Sequence, residues 1–266
     1  DHLRQITLVN DLKIALDKNQ LAMHYQPKVD VKRGQVTQVE ALLRWIHQEL
    51  GFVSPEEFIT LAEQSGLMPS LTDWVLETVF SQALLWQEKG IDIAIAVNLS
   101  AYDLVETFPQ KVEALLNKKG LTTDRVILEI TESAVMQNPE EAIRVLHRLR
   151  DIGFNLSIDD YGTGYSSLAQ LKNMPVNELK IDKSFVMRLD EDEHDQAIVS
   201  STIELGHNIG LTIVAEGVET LNASRLLEKW GCDKLQGYYI SRPIPVEEFE
   251  KWLDGYDYKI RENQAM

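Results

Sequence analysis

Short runs rich in Val, Ile and Leu alternate along the chain with longer segments whose apolar residues recur every three or four positions. The first pattern predicts strands over Ala22–Val31, Gln35–Arg44, Ile93–Asn98, Val126–Glu129, Leu156–Asp159, Leu179–Asp182, Ile213–Glu216 and Leu235–Ile240. The second predicts helices over Leu71–Lys89, Phe108–Lys119, Glu140–Arg150, His194–Ile209, Leu221–Trp230 and Val246–Trp252. Gly90, Gly120, Gly153, Gly210 and Gly231 each follow the last periodic residue of such a helix, the position a left-handed C-cap favours. Repeated strand–helix units imply a mostly parallel sheet with helices outside, and eight strands favour a closed α/β barrel. The first two strands are separated by Lys32-Arg33-Gly34 alone, a hairpin loop too short for a parallel crossover. The expected fold is therefore a modified TIM-like (βα)8 barrel with an antiparallel first strand.

The length of 266 residues fits one such barrel. Residues 1–20 read as a lead-in, linker or first helix; residues 21–255 read as the domain; residues 256–266 read as a polar tail. A hydrophobic fraction of 44% excludes a disordered chain. No apolar run approaches the roughly 18 residues of a membrane-spanning helix. The single cysteine, Cys232, excludes a disulfide framework and a cysteine zinc site, and fits a cytoplasmic setting. The net charge of −16 argues against a nucleic-acid polymer as partner. The chain opens on Asp1 without an initiator Met, which leaves room for sensory domains in a longer parent.

In an α/β barrel the active site forms at the C-terminal strand ends. Those ends carry Glu40, Asn98, Glu129, Asp159 with Asp160, Lys180 with Asp182, Glu216 and Gln236. Five carboxylates cannot share a cleft as bare anions: either some stay protonated or a cation neutralises them. Carboxylates plus an amide oxygen, without Cys or His, suit Mg²⁺ or Mn²⁺. The adjacent pair Asp159-Asp160 can bridge two ions, as two-metal phosphoryl transfer requires. Cations beside Lys180 would favour loss of its proton and a role as general base toward the attacking water.

With these residues in order, the chain resembles the EAL-domain family of cyclic di-GMP phosphodiesterases. The resemblance rests on Glu40-Ala41-Leu42 with Arg44, Tyr25-Gln26-Pro27, Asn98-Leu99-Ser100 and Glu129-Ile130-Thr131-Glu132. It continues through the loop Asp159–Leu168, Lys180-Ile181-Asp182, Glu216-Gly217-Val218-Glu219 and Gln236-Gly237-Tyr238. It implies hydrolysis of cyclic di-GMP to linear pGpG. It also implies that Glu40, Asn98, Glu129 and Asp159 hold a first metal, and that Asp159, Asp160 and Glu216 hold a second. Lys180, with Glu40 and Glu216, is implied as catalytic; Gln26, Arg44 and Gln236 as substrate-binding; Glu132, Glu219 and Asp182 as supports of the loop and site. A homodimer coupled through the Asp160–Leu168 region is implied too. Tyr161 stands where the family's loop usually has Phe. Ca²⁺ is expected to inhibit, because it prefers longer bonds and more ligands than Mg²⁺. Two alternatives stay open: a non-catalytic cyclic di-GMP receptor on the same fold, and a barrel enzyme using Mg²⁺ on a carbon acid, against which the ordered motifs argue.

Overall fold

The structure, a computed structural model, describes residues 2–162 and 168–258. Residues 163–167 of the expected loop and 259–266 of the expected tail lie outside the described residues. Eight strands close a barrel: β1 (Leu21–Asp30), β2 (Gln35–His47), β4 (Ala94–Leu99), β5 (Val126–Thr131), β6 (Asn155–Tyr161), β7 (Glu178–Ile181), β8 (Thr212–Ala215) and β9 (Lys234–Gln236). Strand β3 (Gly51–Val53) pairs with the outer end of β2 and lies beyond the barrel. From β2 through β9 the barrel pairings are parallel. Strand β1 runs antiparallel to both neighbours, β2 and β9, and closes the ring. The short hairpin loop, residues 31–34, dictates this reversal, as the sequence predicts.

The helices that join the strands are α2 (Pro55–Ser65), α3 (Met68–Lys89), α4 (Phe108–Lys119), α5 (Glu132–Gln137), α6 (Pro139–Ile152), α7 (Leu168–Asn173), α8 (Lys183–Val186), α9 (Glu193–Asn208) and α10 (Leu221–Lys229), and α11 (Val246–Gly255) follows β9. Their apolar stripes face the barrel: α6 buries Ala142, Val145, Leu146 and Leu149 at helical spacing. Gly90, Gly120 and Gly153 are left-handed C-caps, as expected. Asp192, in the acidic run 190–193, accepts from the backbone N–H groups of His194 and Asp195 and caps α9.

Both described ends of the chain make packed contacts. Most of the lead-in, read as linker or first helix, forms α1 (His2–Asp17). Its Leu8, Leu12 and Ala15 are buried, and Asp11 reaches the ring of His47 at 2.7 Å. At the other end, Tyr256 stacks on Trp252, and the buried Tyr258 meets Ser224 Oγ at 2.9 Å. The polar character of the tail hid two aromatic anchors. Strand β9 stops at Gln236 rather than Ile240 because the chain turns at Gly237. A Cβ there would lie 2.1 Å from the carbonyl oxygen of Val218, so only glycine permits this approach. The contact ties the loop after β8 to the loop after β9, since the N–H of Val218 donates to the Gln236 carbonyl and that of Tyr239 to the Val218 carbonyl.

Candidate active site

Alternation along the strands places every second residue inside the barrel. On β2 these are Gln38 and Glu40; on β5, Glu129; on β6, Ser157 and Asp159; on β7, Glu178 and Lys180; on β9, Lys234 and Gln236. Because β1 is reversed, its Gln26 faces Glu40 across the ladder, and Lys28 faces Gln38 and Gln236. TIM barrels commonly fill this interior with branched apolar residues. Here much of it is polar and buried.

Lys180 is the centre of the arrangement. Fully buried, its Nζ donates to Glu40 Oε1 at 2.8 Å and to Glu129 Oε2 at 3.1 Å. Asp159 Oδ2 and Glu216 Oε2 stand 3.7 and 4.0 Å away. The other oxygen of Glu40 accepts from the Asn98 amide at 2.9 Å, which leaves the amide oxygen of Asn98 available as a ligand. The Gln236 amide donates both to Glu40 Oε1 at 2.9 Å and to Gln26 Oε1 at 3.0 Å. Gln26 in turn donates to the Ser241 carbonyl at 3.2 Å. Arg44, half-buried on β2, donates to the Leu43 carbonyl at 3.0 Å and lies within electrostatic range of Glu40 and Tyr238.

Asp159 and Asp160 are consecutive, so a regular strand would point them to opposite faces. Two local irregularities bring both into the site. The β6–β7 register shifts between Ile158 and Tyr161, and Asp160 adopts φ 56°. The left-handed region is uncommon for a residue other than glycine, and such strain concentrates at functional sites. The backbone N–H of Asp160 donates to Asp159 Oδ1 at 2.8 Å, and the Asp160 carboxyl pairs with Asp182. Asp182 also caps α8 by accepting from the Ser184 N–H at 2.9 Å.

Charge crowding divides the carboxylates. Burial alone would raise Glu40, but Lys180, Lys28 and the Asn98 amide pull it down to about 2. Burial raises Glu129, against the pull of Lys180 and Lys28. Burial, with the repulsion of Glu40 and Asp159, pushes Glu216 up to about 8 despite Lys180. Burial and the charges of Asp159 and Asp182 push Asp160 up to about 7. Burial opposes the Lys180 ammonium, yet Asp159, Glu129, Glu40 and Glu216 together hold its pKa well above the ordinary 10.5. Within the chain alone the lysine is thus charged. The lowered value expected from the sequence depends on cations offsetting those four neighbours.

Two groups of three carboxylates have the geometry of cation sites: Glu40, Glu129 and Asp159, and Asp159, Asp160 and Glu216. In each group one oxygen per residue lies within 4.8 Å of the others, and Asp159 belongs to both. An all-oxygen donor set of this kind fits hard divalent cations such as Mg²⁺ or Mn²⁺. A measurable consequence follows from the raised acids. The folded chain without cations keeps protons that the unfolded chain has released. Their stabilising contribution is complete at low pH. It is lost as pH rises from 3.8 to about 7 for Asp160 and from 4.5 to about 8 for Glu216. A cation takes the place of these protons, so we expect the thermal stabilisation by added Mg²⁺ to grow over that interval, with proton release on binding. A Mg²⁺-induced shift in Tm that is the same at every pH would contradict this.

The structure thus brings together Gln26, Glu40, Asn98, Glu129, Asp159, Asp160, Lys180, Glu216 and Gln236, with Asp182 behind Asp160 and Arg44 at the edge. Glu132 is buried at the start of α5, and its charge, second to burial, raises the Tyr161 phenol at the entry to the loop. Glu219 stands apart: it is exposed and makes no hydrogen bond or ion pair among the described residues. One residue that sequence reasoning missed is Lys28. It is fully buried, and its Nζ donates to Glu129 Oε1 at 2.5 Å, so each oxygen of Glu129 is held by a different ammonium. The signal was present, since Lys28 lies two residues from Gln26 and therefore on the same strand face.

Comparison with known proteins agrees with this geometry. The family model described as EAL domain matches residues 9–243. The chain is 44% identical over 246 residues to the bifunctional diguanylate cyclase/cyclic di-GMP phosphodiesterase MucR of Pseudomonas aeruginosa, covering 92% of this chain and 36% of MucR. It is 36% identical over 250 residues to the cyclic di-GMP phosphodiesterase PdeR of Escherichia coli, covering 94% of this chain and 38% of PdeR. The chain therefore spans well under half the length of these relatives. A solved structure described as "PaMucR Phosphodiesterase, c-di-GMP complex" superposes with a TM-score of 0.87 at 43% identity, covering 91% of this chain and 99% of that one. The barrel, the acidic mouth around Lys180 and the match over most of the sequence agree: the chain belongs to the EAL-domain family.

Proposed function

We propose that the chain is a metal-dependent phosphodiesterase that hydrolyses cyclic di-GMP to linear pGpG. The observation that carries this reading is the pair of acidic groups sharing Asp159 and packed around the buried Lys180. Similarity to relatives named as cyclic di-GMP phosphodiesterases supports the substrate. Glu40, Asn98, Glu129 and Asp159 are suited to hold one divalent cation, and Asp159, Asp160 and Glu216 a second. Two such ions, when bound, supply positive charge for the attacking and leaving oxygens of an in-line displacement. Lys180 orients the attacking water and, once neutral, accepts its proton. The water oxygen bonds to phosphorus as one ester P–O bond breaks, which opens the ring. Gln26, Arg44 and Gln236 border the same mouth and hold the dinucleotide.

A homodimer through the Asp160–Leu168 region belongs to the same proposal, with Glu132 linking that region to the barrel; sedimentation at micromolar concentration would detect it. The activity is tested by incubation with cyclic di-GMP and Mg²⁺ or Mn²⁺, followed by chromatography of the products. We expect pGpG with either ion and inhibition by added Ca²⁺. Tight binding of cyclic di-GMP without cleavage under any of these ions would assign the chain to the receptor class instead.

A further inference from the structure

The turn after β9 carries a feature that the proposed chemistry leaves unused. Tyr238 follows Gln236 by two residues and is 53% exposed. The Arg242 guanidinium lies over that ring, 4.5 Å from its centroid. The turn is held against the site from two sides. The Ile240 and Ser241 N–H groups donate to the Gly237 carbonyl, and the Gln26 amide donates to the Ser241 carbonyl. Gln26 and Gln236 are themselves bonded to each other, and Gln236 to Glu40, so the turn forms part of the rim of the acidic mouth. Tyr238 also lies within electrostatic range of Arg44.

Arg242 is exposed; its carbonyl accepts from the Ser241 hydroxyl at 2.8 Å, and among the described residues its side chain makes no hydrogen bond or ion pair. Its donors are therefore uncommitted, while the ring beneath it restricts the plane they occupy. An arginine fork fixed in this way is suited to two adjacent acceptors in one plane. Guanine presents such a pair, O6 and N7; adenine presents N7 beside an amino group, which would oppose a second donor.

We propose that Arg242 is a specificity-determining residue that reads the O6 and N7 edge of a guanine base of the substrate, with Tyr238 as its positioning platform. The inference rests on the proposed function, because it needs a cyclic dinucleotide in the mouth. It goes beyond that reading by naming what selects guanine over adenine.

The test measures binding of cyclic di-GMP and cyclic di-AMP by calorimetry in the presence of Ca²⁺, so that turnover does not interfere. Wild type is compared with Arg242→Ala, Arg242→Lys and Tyr238→Phe. We expect wild type to favour cyclic di-GMP, and Arg242→Ala to lose about 10- to 100-fold of affinity for it while binding of cyclic di-AMP changes little. Arg242→Lys should not restore the preference, because a point ammonium cannot replace the fork. Tyr238→Phe keeps the ring face and should retain the preference. Equal losses for both dinucleotides would make Arg242 a phosphate contact and overturn the proposal. Unchanged binding of both would overturn it as well. The reading on which it rests fails separately, if wild type binds neither dinucleotide. Both side chains are exposed, so these variants should fold as wild type does, and their Tm values provide that control.

Discussion

Replacing Lys180 by alanine is expected to lower kcat by about 10²–10⁴-fold, the usual range for one general acid or base. The affinity for cyclic di-GMP, measured with Ca²⁺, should change far less, because Gln26, Arg44 and Gln236 remain. In the folded chain Lys180 is surrounded by Glu40, Glu129, Asp159 and Glu216, which favour its charged form despite complete burial. Bound cations oppose that influence. If they make the lysine a base, kcat in wild type rises with pH as Lys180 loses its proton, and this rise is absent from the alanine variant. If Lys180 instead orients the water as an ammonium, the rate loss is the same but the pH profile keeps its shape. Full turnover in the variant would remove Lys180 from the mechanism altogether. A Lys180→Met variant preserves most of the buried volume and guards against a loss caused by a cavity alone.

The Glu40→Gln substitution should have an effect at least as large. Glu40 accepts bonds from Lys180, Gln236 and Asn98, and it is one of the three residues grouped with Glu129 and Asp159. The change keeps the shape but removes a charge that Lys180, Lys28 and Asn98 hold ionised down to about pH 2. A metal contributes several kcal/mol of charge stabilisation in the transition state, so weakening its site should cost on the order of 10³-fold or more in rate. Titration calorimetry with Mn²⁺ should register weaker binding in the same variant. Normal metal affinity together with normal turnover would exclude Glu40 as a ligand. Gln keeps one acceptor oxygen, which serves either Lys180 and Gln236 or Asn98 but not both sides, so circular dichroism and Tm of the variant are recorded as the fold control. That separates a loss of metal binding from a loss of fold.

The barrel was legible because its signals are local. Alternation of strand and helix periods, the glycines that end helices and the three-residue gap before Gln35 each depend on a few neighbouring residues. The order of motifs, from Gln26 to Gln236, was equally legible, because acidic and amide residues recur at strand ends whatever lies between them. Elements with weak patterns were not. The lead-in could be linker or helix by sequence, and α1 is settled only by the burial of Leu8, Leu12 and Ala15. The tail looks polar until Tyr258 reaches Ser224, which is 34 residues away.

What the sequence alone determined is which chemical groups reach the mouth: a set of carboxylates, three amides and a lysine, most at positions fixed by strand period. Only the tertiary structure decided how they share charge. The register shift and the left-handed Asp160 turn two consecutive aspartates to one side, which strand alternation by itself forbids. Closure by the reversed β1 places Lys28 against Glu129, a contact between residues 101 apart in sequence. Burial then raises some acids while nearby ammonium groups lower others. Coulomb energies depend on distance and on exclusion of water. Neither quantity is written in the order of residues, and both exist only once the barrel has closed.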